Sequence, residues 1–119
     1  MRMWKVYPGV MCRNHLLGEH LEMHMFASAI KNGKRIDGYI RNGLVEIHNI
    51  VNRHNLLVRE MNNRGWNHKT PMTNIDLLTN NNQYRYKNTI IKKGSINSFK
   101  SYNDLAKRCK ECKRLINEN

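Results

Sequence analysis

Residues 14–24, NHLLGEHLEMH, place three histidines and two glutamates within eleven positions near the start of the chain. Two chemistries suit these residue types. His20 and His24 stand at i and i+4, one helical turn apart, as zinc ligands on a helix do. The HExxH motif needs Glu directly after its first His, however, and Leu21 is there. That pair therefore reads as a solvated face. His15, Glu19 and Glu22 are spaced 4 and 3, so they project from one side of a helix. An imidazole and two carboxylates on one side make a catalytic candidate. The same spacing also suits a surface face of weak charge pairs, worth roughly tenths of a kcal/mol each.

A second set of candidates lies at the other end. Cys109-Lys110-Glu111-Cys112 is a CxxC, a spacing common among zinc ligands. A structural zinc takes four ligands and the chain has no second CxxC. Cys12 and several histidines remain available, with no evident spacing that links them. Both cysteines also fall on an apolar helical stripe, and free cysteine is among the most buried residue types, so packed core is the expectation. His54 lies on an apolar face and reads as a hydrogen-bonded core histidine.

Three helices must position these residues. The first is expected from about 10 to 31, with Leu17, Leu21, Met25 and Ser28 as one stripe and Leu16, Met23, Ala27 and Ile30 beside it. Asn32-Gly33 ends it, because Gly takes the left-handed cap conformation at little cost. KNGKRIDGY (31–39) reads as a basic loop. The second helix is expected from about 43 to 63, where Leu44, Ile47, Val51, His54, Val58 and Met61 recur at 3, 4, 3, 4 and 3. The third fits 99–117. SYND at 101–104 has the form of a capping box, and Tyr102, Leu105, Cys109, Cys112 and Ile116 share a face. Between them, the segment with Pro71, NNN (80–82) and Gly94 reads as loop, with a short helical turn near 73–79. Asn88–Ile91 is the one strand candidate. Pro8 keeps the first residues extended. The expectation is an all-α fold, one domain over 1–119, with three main helices and long connections.

Composition narrows the partner. The 119 residues carry 21 Lys+Arg against 9 Asp+Glu, a formal charge of +12. That points to a polyanion, nucleic acid first and an anionic membrane second. No apolar run approaches the roughly 20 residues that span a bilayer. The start has no signal-peptide stretch, so a cytosolic location is expected. Trp66, Tyr84 and Tyr86 are interleaved with basic residues, where an aromatic ring can stack on a base or anchor a local core.

HLLGEHLEMHMF (15–26), the loop NGKR (32–35), NRGWNHKTP (63–71) and RCKECKRLI (108–116) together resemble the pyrimidine-dimer DNA glycosylase family, whose prototype is a phage repair enzyme. The resemblance covers most of the chain and is weakest over 75–98. It implies an all-α fold in which the chain start tucks between the helices. It also implies a DNA glycosylase with AP-lyase activity toward cyclobutane pyrimidine dimers, working through a Schiff base on the N-terminal amine. Residue by residue, the nucleophile falls on the amine of Met1, the acid on Glu22 and the family's active-site histidine on His15. Arg2 also matches. Arg2, His15, Arg13, Lys34 and Arg35 are the candidate DNA-binding residues. The family chemistry implies no metal and no organic cofactor. The expected partner is double-stranded, ultraviolet-damaged DNA, bound by a monomer in the cytoplasm (a host cytoplasm, should the gene be viral). Two positions depart from the family pattern. Leu21 and Met25 stand where the prototype has arginines that meet DNA beside the lesion.

Overall fold

The structure, a computed structural model, describes residues 1–68, 72, 83–86, 89–92 and 94–119. Helix α1 (Arg13–Lys31) follows a single 3-10 turn at Pro8–Val10, so it starts later than its apolar pattern suggests. Its end forms as expected. Gly33 has φ +69, its amide reaches Ile30 O at 3.1 Å, and the Lys34 amide reaches Ala29 O at 2.8 Å. These two bonds satisfy carbonyls that the last turn leaves open.

The buried stripe of α1 differs from the apolar one read from sequence. Leu16, Glu19, Met23 and Phe26 face the core, while Leu21 is 60% exposed and Met25 47%. The stripe turns because Glu19 carries a buried cation with it. Arg53, on helix α3 (Ile50–Asn63), clasps Glu19 through Nε–Oε2 at 2.6 Å and Nη2–Oε1 at 2.8 Å. An acid and a base that look solvated in sequence thus become the central contact between α1 and α3.

A similar correction applies to α3. It begins at Ile50, after a 3-10 turn at Ile47–Asn49, and its inward residues are Ile50, Val51, Arg53, His54, Leu57 and Met61. Leu44 precedes the turn, so its periodic match to the helix was accidental. Val58 is only half-buried, and Leu57 is the residue in the core. Helix α2 (Asp37–Arg41), a five-residue turn of helix, begins inside the expected basic loop and runs two residues past it. Ile36 and Ile40 are buried four residues apart, and Asp37 accepts from Arg35 at 2.7 Å and Arg41 at 2.9 Å.

The expected third helix is two. Helix α4 (Ser98–Arg108) starts at an Asn97 cap, whose side chain accepts from the Lys100 amide at 3.0 Å. Helix α5 (Lys110–Glu118) starts after Cys109, whose φ of −136° and ψ of 117° leave the helical region. The strand expected at Asn88–Ile91 appears as β2 (Thr89–Lys92), paired antiparallel with β1 (Gln83–Tyr86) in the register Gln83↔Lys92 to Tyr86↔Thr89. The turn expected near 73–79 lies outside the described residues. The protein is all-α, and this hairpin is its only sheet among the described residues. No described helix is long and apolar enough to cross a membrane.

Candidate active site at the chain start

The first seven residues form an extended segment held from several sides. Met3, Trp4 and Val6 are in the core. The Met3 amide donates to Leu44 O at 2.7 Å, and the Tyr7 amide to the Tyr102 hydroxyl at 2.7 Å. Arg53 Nη1 donates to Val6 O at 2.7 Å, and the Ser98 hydroxyl to Lys5 O at 3.2 Å. The Ser101 hydroxyl, buried at the start of α4, makes a short bond to Trp4 O. Lys5 adopts φ +58, a left-handed conformation that costs a non-glycine residue roughly 1–2 kcal/mol. Its ammonium is paired with Glu46 at 2.9 Å, and Glu46 also accepts from the Ile96 amide at 2.7 Å. These bonds hold the backbone in that turn.

The result brings the terminus to Glu22. The Arg2 amide donates to Glu22 Oε1 at 2.9 Å. The α-nitrogen of Met1 is the next backbone nitrogen along, so covalent geometry keeps it within about 7 Å of that oxygen. Met1 is 37% exposed and Glu22 is half-buried, so the pair sits at a surface rather than in the core.

The other sequence candidates divide. The Arg2 guanidinium packs 3.8 Å above the Trp4 ring and binds Ser101 Oγ at 3.2 Å and Asp104 at 3.5 Å. These contacts anchor the segment. His15 lies edge-on to Trp4, and burial, followed by the charge of Arg108, lowers its pKa. Arg13 is exposed on the first turn of α1, with its guanidinium 5.7 Å from the centre of the Trp66 ring. Lys34 and Arg35 are exposed in the α1–α2 connection, Arg35 bound to Asp37. Glu19 is 1% exposed and occupied by Arg53. Burial raises its pKa, opposed by Arg53 and by the Trp4 amide. It faces away from the role that its spacing with His15 and Glu22 suggested and instead secures the segment that carries the terminus.

Two groups of potential metal ligands also form, where the sequence pattern favoured packed core for the cysteines and a solvated face for His20 and His24. Cys12, His15, Cys109 and Cys112 bring one ligand atom each within 4.8 Å of one another, and so do His20, His24, His54 and His68. His20 and His24 are thus half-buried members of an imidazole cluster, not a solvated face. Cys112 is core, as expected, but Cys109 is only half-buried, and Cys12 and His15 from the far end of the chain join them. Burial pushes the Cys112 thiol up to about 12. For Cys109, burial raises the pKa but hydrogen bonds from Cys112 and Cys12 outweigh it, and the thiol is lowered. Burial, then the neighbouring imidazoles, lower His20 to about 4 and also lower His24 and His68. One signal for the first group was present in sequence: Cys12-Arg13-Asn14-His15 is a CxxH that matches the CxxC.

No curated protein and no solved structure matches the chain. A sequence model of the family described as pyrimidine dimer DNA glycosylase matches residues 1–74, the segment that contains the chain start, Glu22, α1 and α3. The chain belongs to the pyrimidine dimer DNA glycosylase family.

Proposed function

We propose that the protein is a DNA glycosylase with AP-lyase activity on ultraviolet-damaged DNA, with the Met1 amine as nucleophile and Glu22 as the essential carboxylate. The observation that carries this reading is the 2.9 Å bond from the Arg2 amide to Glu22 Oε1, which ties the chain's first residues to an acid on α1. An α-amine is less basic than a lysine side chain, so a useful fraction is a neutral nucleophile near pH 7. Its lone pair attacks C1′ of the damaged nucleotide. The glycosidic bond breaks, and the base leaves with the bonding electrons. Positive charge on C1′ and the ring oxygen develops beside Glu22, whose carboxylate stabilises it. The bound nitrogen loses one proton, the C1′–O4′ bond breaks as O4′ takes a proton, and a protonated Schiff base forms. That iminium acidifies C2′–H. Glu22 takes the proton, and the C3′–O bond breaks to release the strand. The net charge of +12 supplies the non-specific attraction to DNA, with Arg13, Lys34 and Arg35 as candidate phosphate contacts.

Borohydride reduction tests the proposal. A duplex carrying a pyrimidine dimer or an abasic site should become covalently trapped. Acetylating the terminus or making Glu22→Gln should abolish the trapped band. Trapping that survives a blocked terminus would move the nucleophile to a side-chain amine such as Lys5. A second reading is a DNA-binding module of the same fold with little or no catalysis. It is favoured by the exposure of Leu21 and Met25 where the family prototype has arginines. It predicts salt-sensitive binding without nicking of irradiated plasmid.

A further inference from the structure

We propose that Cys12, His15, Cys109 and Cys112 form a closed tetrahedral site for a structural zinc ion. Cys12 and His15 lie at the start of α1; Cys109 and Cys112 lie at the α4–α5 break. Read together they are Cys-x2-His and Cys-x2-Cys, the spacing of structural zinc sites. Zn–S bonds of about 2.3 Å and a Zn–N bond of about 2.0 Å require S···S near 3.8 Å and S···N near 3.5 Å in a tetrahedron. Cys12 Sγ lies 3.8 Å from Cys109 Sγ and 3.3 Å from His15 Nδ1. The sulfurs already accept amide hydrogens, Cys112 from Cys12 N at 3.2 Å and Cys109 from Cys112 N at 3.5 Å. Such bonds support thiolates around a cation. Simple core packing explains buried thiols, but it gives no reason for an imidazole nitrogen to join three of them. The departure of Cys109 from helical geometry has the same explanation, since it turns Sγ toward Cys12. The ion would clamp the C-terminal helices onto the root of the terminal segment.

A separate observation carries a second site. His20 and His24 of α1, His54 of α3 and His68 beyond it direct their Nε2 atoms at one another, His54 to His24 at 3.1 Å and His20 to His68 at 2.8 Å. His54 Nδ1 faces Asn55 Oδ1 at 3.0 Å. That contact keeps the proton on Nδ1 and leaves the Nε2 lone pair pointing into the cluster, as for a metal-bound histidine. Four imidazoles around one point suit a first-row divalent ion, zinc among them. We infer that this quartet binds one.

Elemental analysis of tag-free protein purified without chelator tests both sites, and cobalt substitution separates them. Two metal equivalents per chain are expected. Cobalt in the cysteine site gives a thiolate-to-metal charge-transfer band, which cobalt in the histidine site cannot. Cys109→Ser should remove that band and one equivalent of metal; His68→Gln should lower the metal content and leave the band. A metal-free wild-type protein that also fails to take up added zinc or cobalt overturns both proposals. Cobalt uptake without the charge-transfer band overturns the first. Wild-type uptake that stops at one equivalent, with the charge-transfer band at full strength, overturns the second. The wild-type measurements decide the matter even where a variant does not fold.

Discussion

Replacing Arg53 by Met should expose how the chain start is held. Arg53 is buried, and its guanidinium makes two bonds to Glu19, one to Val6 O at 2.7 Å and a contact to Met11 Sδ at 3.5 Å. With side chains 5% and 0% exposed, the pair is little screened by salt. Removing one partner leaves the Glu19 carboxylate buried without a counter-charge, which costs about 3–5 kcal/mol. Burial already raises Glu19, and without Arg53 it rises further. The folded variant then binds a proton that the unfolded chain releases at neutral pH. Its loss of stability should therefore be greatest near pH 7 and shrink as pH falls toward the ordinary carboxylate range. Paired replacement by Glu19→Leu and Arg53→Met removes both charges and should recover most of the loss. Urea denaturation of the four proteins of this cycle, at pH 7 and pH 5, gives every number needed. A loss below about 1 kcal/mol for Arg53→Met, or a double variant no better than the single, would refute the reasoning. Borohydride trapping by the folded fraction should fall with the single variant, because Val6 O loses the donor that holds the segment carrying Met1.

Ser101→Ala removes the hydroxyl that donates to Trp4 O and accepts from Arg2, and should cost about 1–3 kcal/mol in urea midpoint experiments. Gly94 has φ +92, and a Cβ there would collide with Val45 O, so Gly94→Ala should cost about 2 kcal/mol or more and lower the melting temperature accordingly. In metal-free protein, His20 titrates at about 4 when folded, below the usual value of about 6.5. The unfolded state then binds more protons, so stability should fall as pH drops through that window; a His20→Asn variant should show a shallower pH slope, and an unchanged slope would reject the assignment. Leu21→Arg with Met25→Arg restores the basic character that the family prototype has beside its acid. DNA affinity should rise, and the slope of log Kobs against log salt should steepen by roughly 0.9 per new phosphate contact. An unchanged slope would mean that this face of α1 does not meet DNA.

Periodicity located the main helices, because burial of an apolar face leaves its mark every three or four residues. It failed where polar residues took core positions. Glu19 and Arg53 are buried together, and each looks solvated until the other is placed beside it. That exchange rotated the inward face of α1 and put Leu21 and Met25 outside. Periodicity also failed where a short element depends on partners within a few residues, as the Asp37 ion pairs and the Ile36–Ile40 contact do for α2. The break at Cys109 was illegible for a different reason. Leu105, Cys112 and Ile116 continue one stripe across it, and the backbone leaves the helix only at a residue whose side chain meets Cys12, 97 positions earlier.

Contacts between chain ends also decide what the site can do. The Arg2 amide reaches Glu22 because an extended segment is tied to α1, α3 and α4 by bonds to its backbone, and most of those bonds are indifferent to the side chains of the segment itself. Backbone amides and carbonyls leave no trace in a one-letter sequence; only their partners do, and Ser101, Arg53 and Tyr102 look ordinary where they stand. The position of the chain start is thus specified by residues up to 101 places away, with the cysteine–histidine quartet beneath the same segment. If zinc occupies that quartet, its removal should loosen the hold on Tyr7 and Trp4 before it unfolds α1 and α3. Faster amide exchange over residues 2–12 with little change in the α1–α3 core would be the expected signature, and uniform exchange across the chain would count against this division of labour.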